Sequence, residues 1–148
     1  MSLKAKINTD LTQAMKDKDS IKIDTLRSIR AEILKMDKSG MDREMNEEEE
    51  IQLLAKQAKL RKESIEVFEK AGRTDLVDKE SKQLEIINEY LPKQISREEA
   101  EKIINGILSG LGEITQKDFG KIMGLCMKEL KGKIDGKIIQ EIVKSRIV

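Results

Sequence analysis

Tyr90-Leu91-Pro92-Lys93-Gln94-Ile95-Ser96-Arg97-Glu98-Glu99 divides this chain into two helical parts. Pro92 is the only proline in the 148 residues. Its ring disfavours helical backbone at the residue before it, so a helix arriving from the N-terminal side stops there. Ser96, with Glu99 three positions later, is a capping-box pattern that restarts a helix by satisfying its first free amides. Break and restart together predict an N-terminal helical domain over residues 1–91 and a C-terminal three-helix domain over residues 96–148.

Upstream of the break, apolar residues recur at helical spacing. A first helix from Ser2 to about Lys18 carries Leu3, Ile7, Leu11, Ala14 and Met15 on one face. Asp19 opens a second, with Ile23, Leu26, Ile29, Ile33 and Met36 inward and Gly40 at its end. Asn46 followed by Glu49 is another capping box, and Glu47 to Glu50 sit in the first turn, where the helix dipole favours negative charge. This third helix continues toward Ala71 with Ile51, Leu54, Ala58, Ile65 and Phe68 in a heptad-like seam. Arg61 shares that seam, where pairing with a carboxylate across helices is the ordinary expectation. A fourth helix, about Thr74 to Tyr90, supplies Leu76, Leu84 and Ile87.

Downstream, Ile103, Ile104, Ile107 and Leu108 continue the helix that Ser96 begins, and Gly110 and Gly112 end it. Thr115 caps the next, which runs to about Lys131. Asp135 precedes the last, with Ile138, Ile139, Ile142 and Val143. No strand of convincing length interrupts the series, so the fold class is all-α. Composition agrees: the aromatics are Phe68, Tyr90 and Phe119 alone, leaving aliphatic side chains to pack helix on helix.

Composition also limits the chemistry. The chain has no histidine and one cysteine, Cys126. A Ser–His–Asp or Cys–His nucleophile cannot be assembled, nor can an imidazole or multi-thiolate zinc site. Carboxylates are abundant, yet none stands apart as a catalytic pair. No intramolecular disulfide is possible, no apolar run approaches a membrane span, and the first residues lack the apolar core of a signal peptide. The expected location is the cytoplasm, with no membrane partner. Cys126 falls on the apolar side of its helix and reads as a buried core thiol.

Charge is segregated. Lys117, Lys121, Lys128, Lys131, Lys133, Lys137, Lys144 and Arg146 outnumber the acids of residues 117–148 to give +4, against +1 for the whole chain and hence −3 for residues 1–116. At about 100° per residue, Lys117, Lys121, Gly124, Lys128 and Lys131 fall within roughly 80°, opposite Phe119, Ile122, Cys126 and Leu130. Asp118 and Glu129 sit off that arc. Gly120 and Gly124 lie within the helix, where glycine is about 1 kcal/mol less favourable than alanine. Close approach of another backbone or of a phosphate would explain them. Gly132 and Gly136 follow in a turn leading to a helix N-terminus, a natural anion site. The competing reading is a solvated lysine face with glycines that serve helix packing. An RNA bound here would be held by backbone and shape, because no aromatic side chain lies near the ridge to stack on unpaired bases.

Three blocks resemble the YqeY family: Arg61-Lys62-Glu63-Ser64-Ile65-Glu66-Val67-Phe68-Glu69-Lys70-Ala71-Gly72-Arg73; Glu89-Tyr90-Leu91-Pro92-Lys93-Gln94; and Gly120-Lys121-Ile122-Met123-Gly124 with Leu130-Lys131-Gly132-Lys133-Ile134-Asp135-Gly136-Lys137. From about Glu98 onward the chain also resembles the tail domain of the B subunit, GatB, of the aspartyl/glutamyl-tRNA amidotransferase. The resemblance implies a helical N-terminal domain joined to a three-helix, GatB-tail-like domain. In that amidotransferase, and in certain glutaminyl-tRNA synthetases with a similar appendage, the tail helps to engage tRNA. The implied role is tRNA-facing at Lys121, Gly124, Lys131, Gly132, Lys133, Gly136 and Lys137, to which the lysine ridge adds Lys117 and Lys128.

The family label, carbon–nitrogen ligase with glutamine as amido-N-donor, belongs with a catalytic domain that nothing in this chain resembles. The expectation is therefore a tRNA-binding or amidotransferase-associated module with no catalytic residue, cofactor or metal of its own. Its partners would be tRNA and proteins of tRNA aminoacylation or amide transfer. The alternatives are a protein-interaction module and the ligase activity of the label.

Overall fold

Amphipathic stripes and side-chain caps set where each helix begins and ends. The computed structural model describes residues 2–38 and 43–147. Among these, the elements are α1 (Leu3–Asp17), α2 (Ser20–Lys38), α3 (Glu47–Lys70), α4 (Thr74–Asn88), α5 (Arg97–Ser109), a 3-10 turn (Gln116–Asp118), α6 (Phe119–Leu130) and α7 (Gly136–Arg146), with no strand. The fold is all-α. Gly40, the expected end of the second helix, lies outside the described residues. The chain forms two compact units, Met1–Leu91 and Pro92–Val148.

In the first unit, the Ser2 side chain caps α1 by accepting the Ala5 amide at 3.2 Å. Lys18 ends α1 in the left-handed region (φ 55°), which lets the chain reverse into α2 within two residues. Asn46 and Glu49 cap α3 reciprocally, with Glu49 N donating to Asn46 Oδ1 at 2.9 Å and Asn46 N donating to Glu49 Oε1 at 3.1 Å. Arg43 lies 2.6 Å from the same carboxylate oxygen and is the main reason that Glu49 is held below the usual carboxylate range. Gly72 (φ 71°) closes α3, in a backbone conformation that L-residues with a Cβ disfavour.

Leu3, Ile7, Leu11, Ala14, Leu26, Ile29, Ile33, Leu54, Ala58, Ile87 and Leu91 form the core of this unit. Met15 is a correction to the sequence reading: it is 51% exposed. A stripe of i, i+4, i+8 residues drifts by about 40° at each step, which carries position 15 past the edge of the buried arc. Arg61 meets Glu80 of α4 at 3.1 Å, the cross-helix carboxylate partner expected of it. Leu84, Ile86 and Tyr90 extend the core, and the Tyr90 hydroxyl donates a short hydrogen bond to Asp10 of α1.

The second unit packs Ala100, Ile104 and Leu108 of α5, Ile122, Cys126 and Leu130 of α6, and Ile139, Ile142 and Val143 of α7. The Ser96 hydroxyl accepts the Glu99 amide at 3.1 Å and starts α5 where the sequence predicts. Arg97 of α5 pairs with Glu141 of α7 at 3.1 Å, and Arg146 Nε donates to Asn105 Oδ1 at 3.0 Å.

Burial and the Asp10 hydrogen bond raise the Tyr90 phenol above its ordinary pKa of 10.0. The folded chain thus keeps a proton that the unfolded chain releases near pH 10, so this contribution is complete below that pH and is lost as pH rises above it. Tyr90→Phe is expected to lose roughly 1–2 kcal/mol at neutral pH. In urea denaturation run from about pH 8 to pH 11, the gap between wild type and variant should narrow at the alkaline end. A gap independent of pH would show that this phenol does not titrate as described.

Candidate functional site

Packing of α6 determines which residues the basic segment presents. Ile122, Cys126 and Leu130 are all 0% exposed. Gly120, Lys121, Gly124 and Lys128 lie on the opposite side of the helix, and all four are exposed. Burial pushes the Cys126 thiol up, so it stays protonated and takes no part in this surface.

The structure divides the expected ridge. Lys117 sits in the 3-10 turn, whose different residue repeat breaks the helical phase between it and Lys121. Lys131 is the C-cap of α6, with extended backbone (φ −56°, ψ 127°), and is half-buried. Lys121, Gly124 and Lys128 are therefore the part carried on one continuous helix. Lys117, Lys121 and Lys128 make no ion pair among the described residues. Acid is closer than the helical arc suggested: Lys121 lines a cleft of about 70 Å³ with Glu113 and Asp118. Asp118 is itself engaged, accepting the Thr115 amide at 3.0 Å.

The glycines separate by cause. Gly132 has φ 77°, so the turn after α6 requires it. A Cβ on Gly136 would meet Met127 Cε at an ordinary 3.7 Å. A Cβ on Gly120 or Gly124 would meet nothing within 4 Å. Neither backbone conformation nor helix packing within the chain explains these two, which lie one turn apart on the face that carries Lys121 and Lys128.

The turn itself is committed to structure. Gly132 O accepts a hydrogen bond from the Gln94 side-chain amide, and Lys133 O accepts one from Ile95 N at 3.0 Å. Lys131, Gly132, Lys133 and Gly136 are half-buried, while Lys137 is exposed. At the start of α7, Lys137 N donates to Asp135 Oδ1 at 3.0 Å, and the Ile138 and Ile139 amides both donate to Asp135 O. The amides expected to bind an external anion are thus occupied by Asp135, whose carboxylate also repels one. Leu125 was missed by the sequence reading. It is 37% exposed beside Lys121 and Lys128, and its angle on the helix was the available signal.

Among the described residues there is no group of three or more side chains suited to a metal ion, and no helix is long and apolar enough to cross a membrane. A family model described as Yqey-like protein matches residues 4–147. "Altered inheritance of mitochondria protein 41, mitochondrial" of Pyrenophora tritici-repentis is 32% identical over 148 residues, covering 95% of this chain and 81% of the relative. Its namesake in Kluyveromyces lactis is 32% identical over 138 residues, covering 91% and 70%. A glutamyl-tRNA(Gln) amidotransferase subunit of Methanocaldococcus jannaschii is 42% identical over an alignment of 59 residues, covering 37% of this chain and 9% of that relative.

Open space at Gly120 and Gly124 gives a direct expectation for stability. Gly120→Ala/Gly124→Ala should raise the unfolding free energy by about 0.5–1 kcal/mol per site, measured by thermal or urea denaturation. A destabilised double variant would mean that a neighbour does approach this face in the folded chain.

Proposed function

This chain belongs to the YqeY family, and on that premise we propose that it is a tRNA-binding module associated with tRNA-dependent amide transfer, with no catalysis of its own. One observation carries the reading: two glycines with open space above them share the exposed outer face of α6 with Lys121 and Lys128, which make no ion pair among the described residues. A missing Cβ lets a phosphodiester backbone approach the helix closely, and Lys121 and Lys128 then neutralise it. Lys117 and Lys131 extend the contact at either end, and Lys133, Gly136 and Lys137 border it. Likeness to a stretch of a glutamyl-tRNA(Gln) amidotransferase component supports tRNA as the nucleic acid and amide-transfer proteins as further partners.

Binding in this reading is electrostatic and shape-directed. The near-neutral chain disfavours indiscriminate association with nucleic acid, while the +4 of residues 117–148 supplies a local field. A lone buried cysteine suits a reducing compartment, which we take to be the cytoplasm. The fungal relatives carry mitochondrial names.

Fluorescence anisotropy with unfractionated tRNA across a salt series tests the proposal. Affinity should fall steeply with salt, by close to one power of salt concentration per phosphate contacted. Lys121→Glu/Lys128→Glu should reduce that slope by about 2 and weaken binding at low salt. Gly120→Ala/Gly124→Ala should also weaken binding. Unchanged affinity in both variants would remove α6 from the interface. Absence of tRNA binding even at low salt would favour a protein partner, for which Leu125 offers an apolar contact.

A further inference from the structure

Helix α3 buries one apolar stripe and leaves most of a second outside the core. Leu54, Ala58, Arg61, Ile65 and Phe68 form the inner stripe, with Leu54 and Ala58 in the core and Arg61 reaching α4. Leu53, Leu60 and Val67 form the second, recurring every seven residues within an arc of about 40°. Leu53 is half-buried against this unit's own core and marks the edge of the stripe, whereas Leu60 is 46% and Val67 62% exposed. Single exposed apolar side chains are ordinary on a protein surface, but Leu60 and Val67 lie one heptad apart on the same line of the helix, and that line continues into Leu53 at the core edge.

Charge along the stripe indicates what covers it. Lys56 and Glu63 lie on the same flank, both exposed, and neither makes an ion pair among the described residues. We propose that this stripe is the contact face of a homodimer, in which α3 of a second copy lies antiparallel with Leu60 on the two-fold axis. Leu53 and Val67 are each seven residues from Leu60, so Leu53 of each copy lies level with Val67 of the other. Lys56 is four residues before the axis and Glu63 three after it, so the two differ in level by about 1.5 Å across the interface. A two-fold axis perpendicular to antiparallel helices brings the same flank of each copy together. Lys56 of each copy then faces Glu63 of the other, giving two identical ion pairs around a Leu60–Leu60 contact. In a parallel pairing the two-fold axis runs along the helices and brings opposite flanks together, so Lys56 and Glu63 do not meet.

Sedimentation equilibrium over a wide concentration range, with far-UV circular dichroism on every variant, tests the dimer. The wild type should show a concentration-dependent monomer–dimer equilibrium, and Leu60→Glu should be monomeric with unchanged helix content. Lys56→Glu and Glu63→Lys should each weaken the dimer roughly tenfold, since each places like charges opposite one another twice. The double exchange Lys56→Glu/Glu63→Lys should restore it. A wild type that stays monomeric at every concentration, or a dimer indifferent to Leu60→Glu, would overturn the proposal. Failure of the double exchange to recover what either single change lost would overturn the antiparallel register.

Discussion

Burial of Ile122, Cys126 and Leu130 along one side of α6 is the constraint from which the C-terminal unit follows. Three side chains at i, i+4 and i+8, each fully removed from water, fix the helix in rotation against α5 and α7. Burying one such side chain contributes about 1.5–3 kcal/mol, so turning α6 to bury a lysine instead is energetically closed. The opposite face is therefore determined without any contact of its own. Gly120, Lys121, Gly124 and Lys128 point outward because the core leaves them nowhere else to go. The surface proposed to meet RNA is in this sense a product of packing beneath it.

Aliphatic side chains dominate both cores, and polar groups tie the segments around them. The Asn46–Glu49 reciprocal cap, the Arg61–Glu80 pair and the Tyr90–Asp10 hydrogen bond each tie two segments of the first unit. In the second unit, Asp135 holds the first amides of α7, and Gln94 and Ile95 hold the carbonyls of the turn before it. These commitments matter for function. They occupy carbonyls of the turn around Gly132 and the Lys137, Ile138 and Ile139 amides at the α7 N-terminus, which on the proposed reading leaves α6 as the main contact. A glycine inside a helix is unfavourable; Gly124 lies in the middle of α6 and Gly120 in its first turn, and no contact within the chain requires either.

Local signals were readable wherever the physics is local. The stop before Pro92, the caps at Asn46 and Ser96, and the buried stripe of α6 depend on residues three or four positions apart, within reach of a helical wheel. Met15 shows the limit of that wheel, because the edge of a stripe is decided by how far the facing helix extends. The lysine ridge was legible in its middle and misleading at its ends. A 3-10 turn shifts the phase of Lys117, and the backbone turn at Lys131 takes that residue out of the helix. The engagement of Gly132 by Gln94, 38 residues away, leaves no trace in periodicity or composition. Glu113, brought near Lys121 by the loop after α5, is of the same kind.

The central claim is that the outer face of α6 meets a phosphate backbone, and amide chemical shifts followed residue by residue during a titration with tRNA examine it most directly. The account predicts that the largest perturbations fall at Gly120, Lys121, Gly124, Leu125 and Lys128, with smaller ones at Lys117 and Lys131 and none in α1 or α2. Perturbations confined to α7 or to the first unit, or an unperturbed spectrum at low salt, would contradict it.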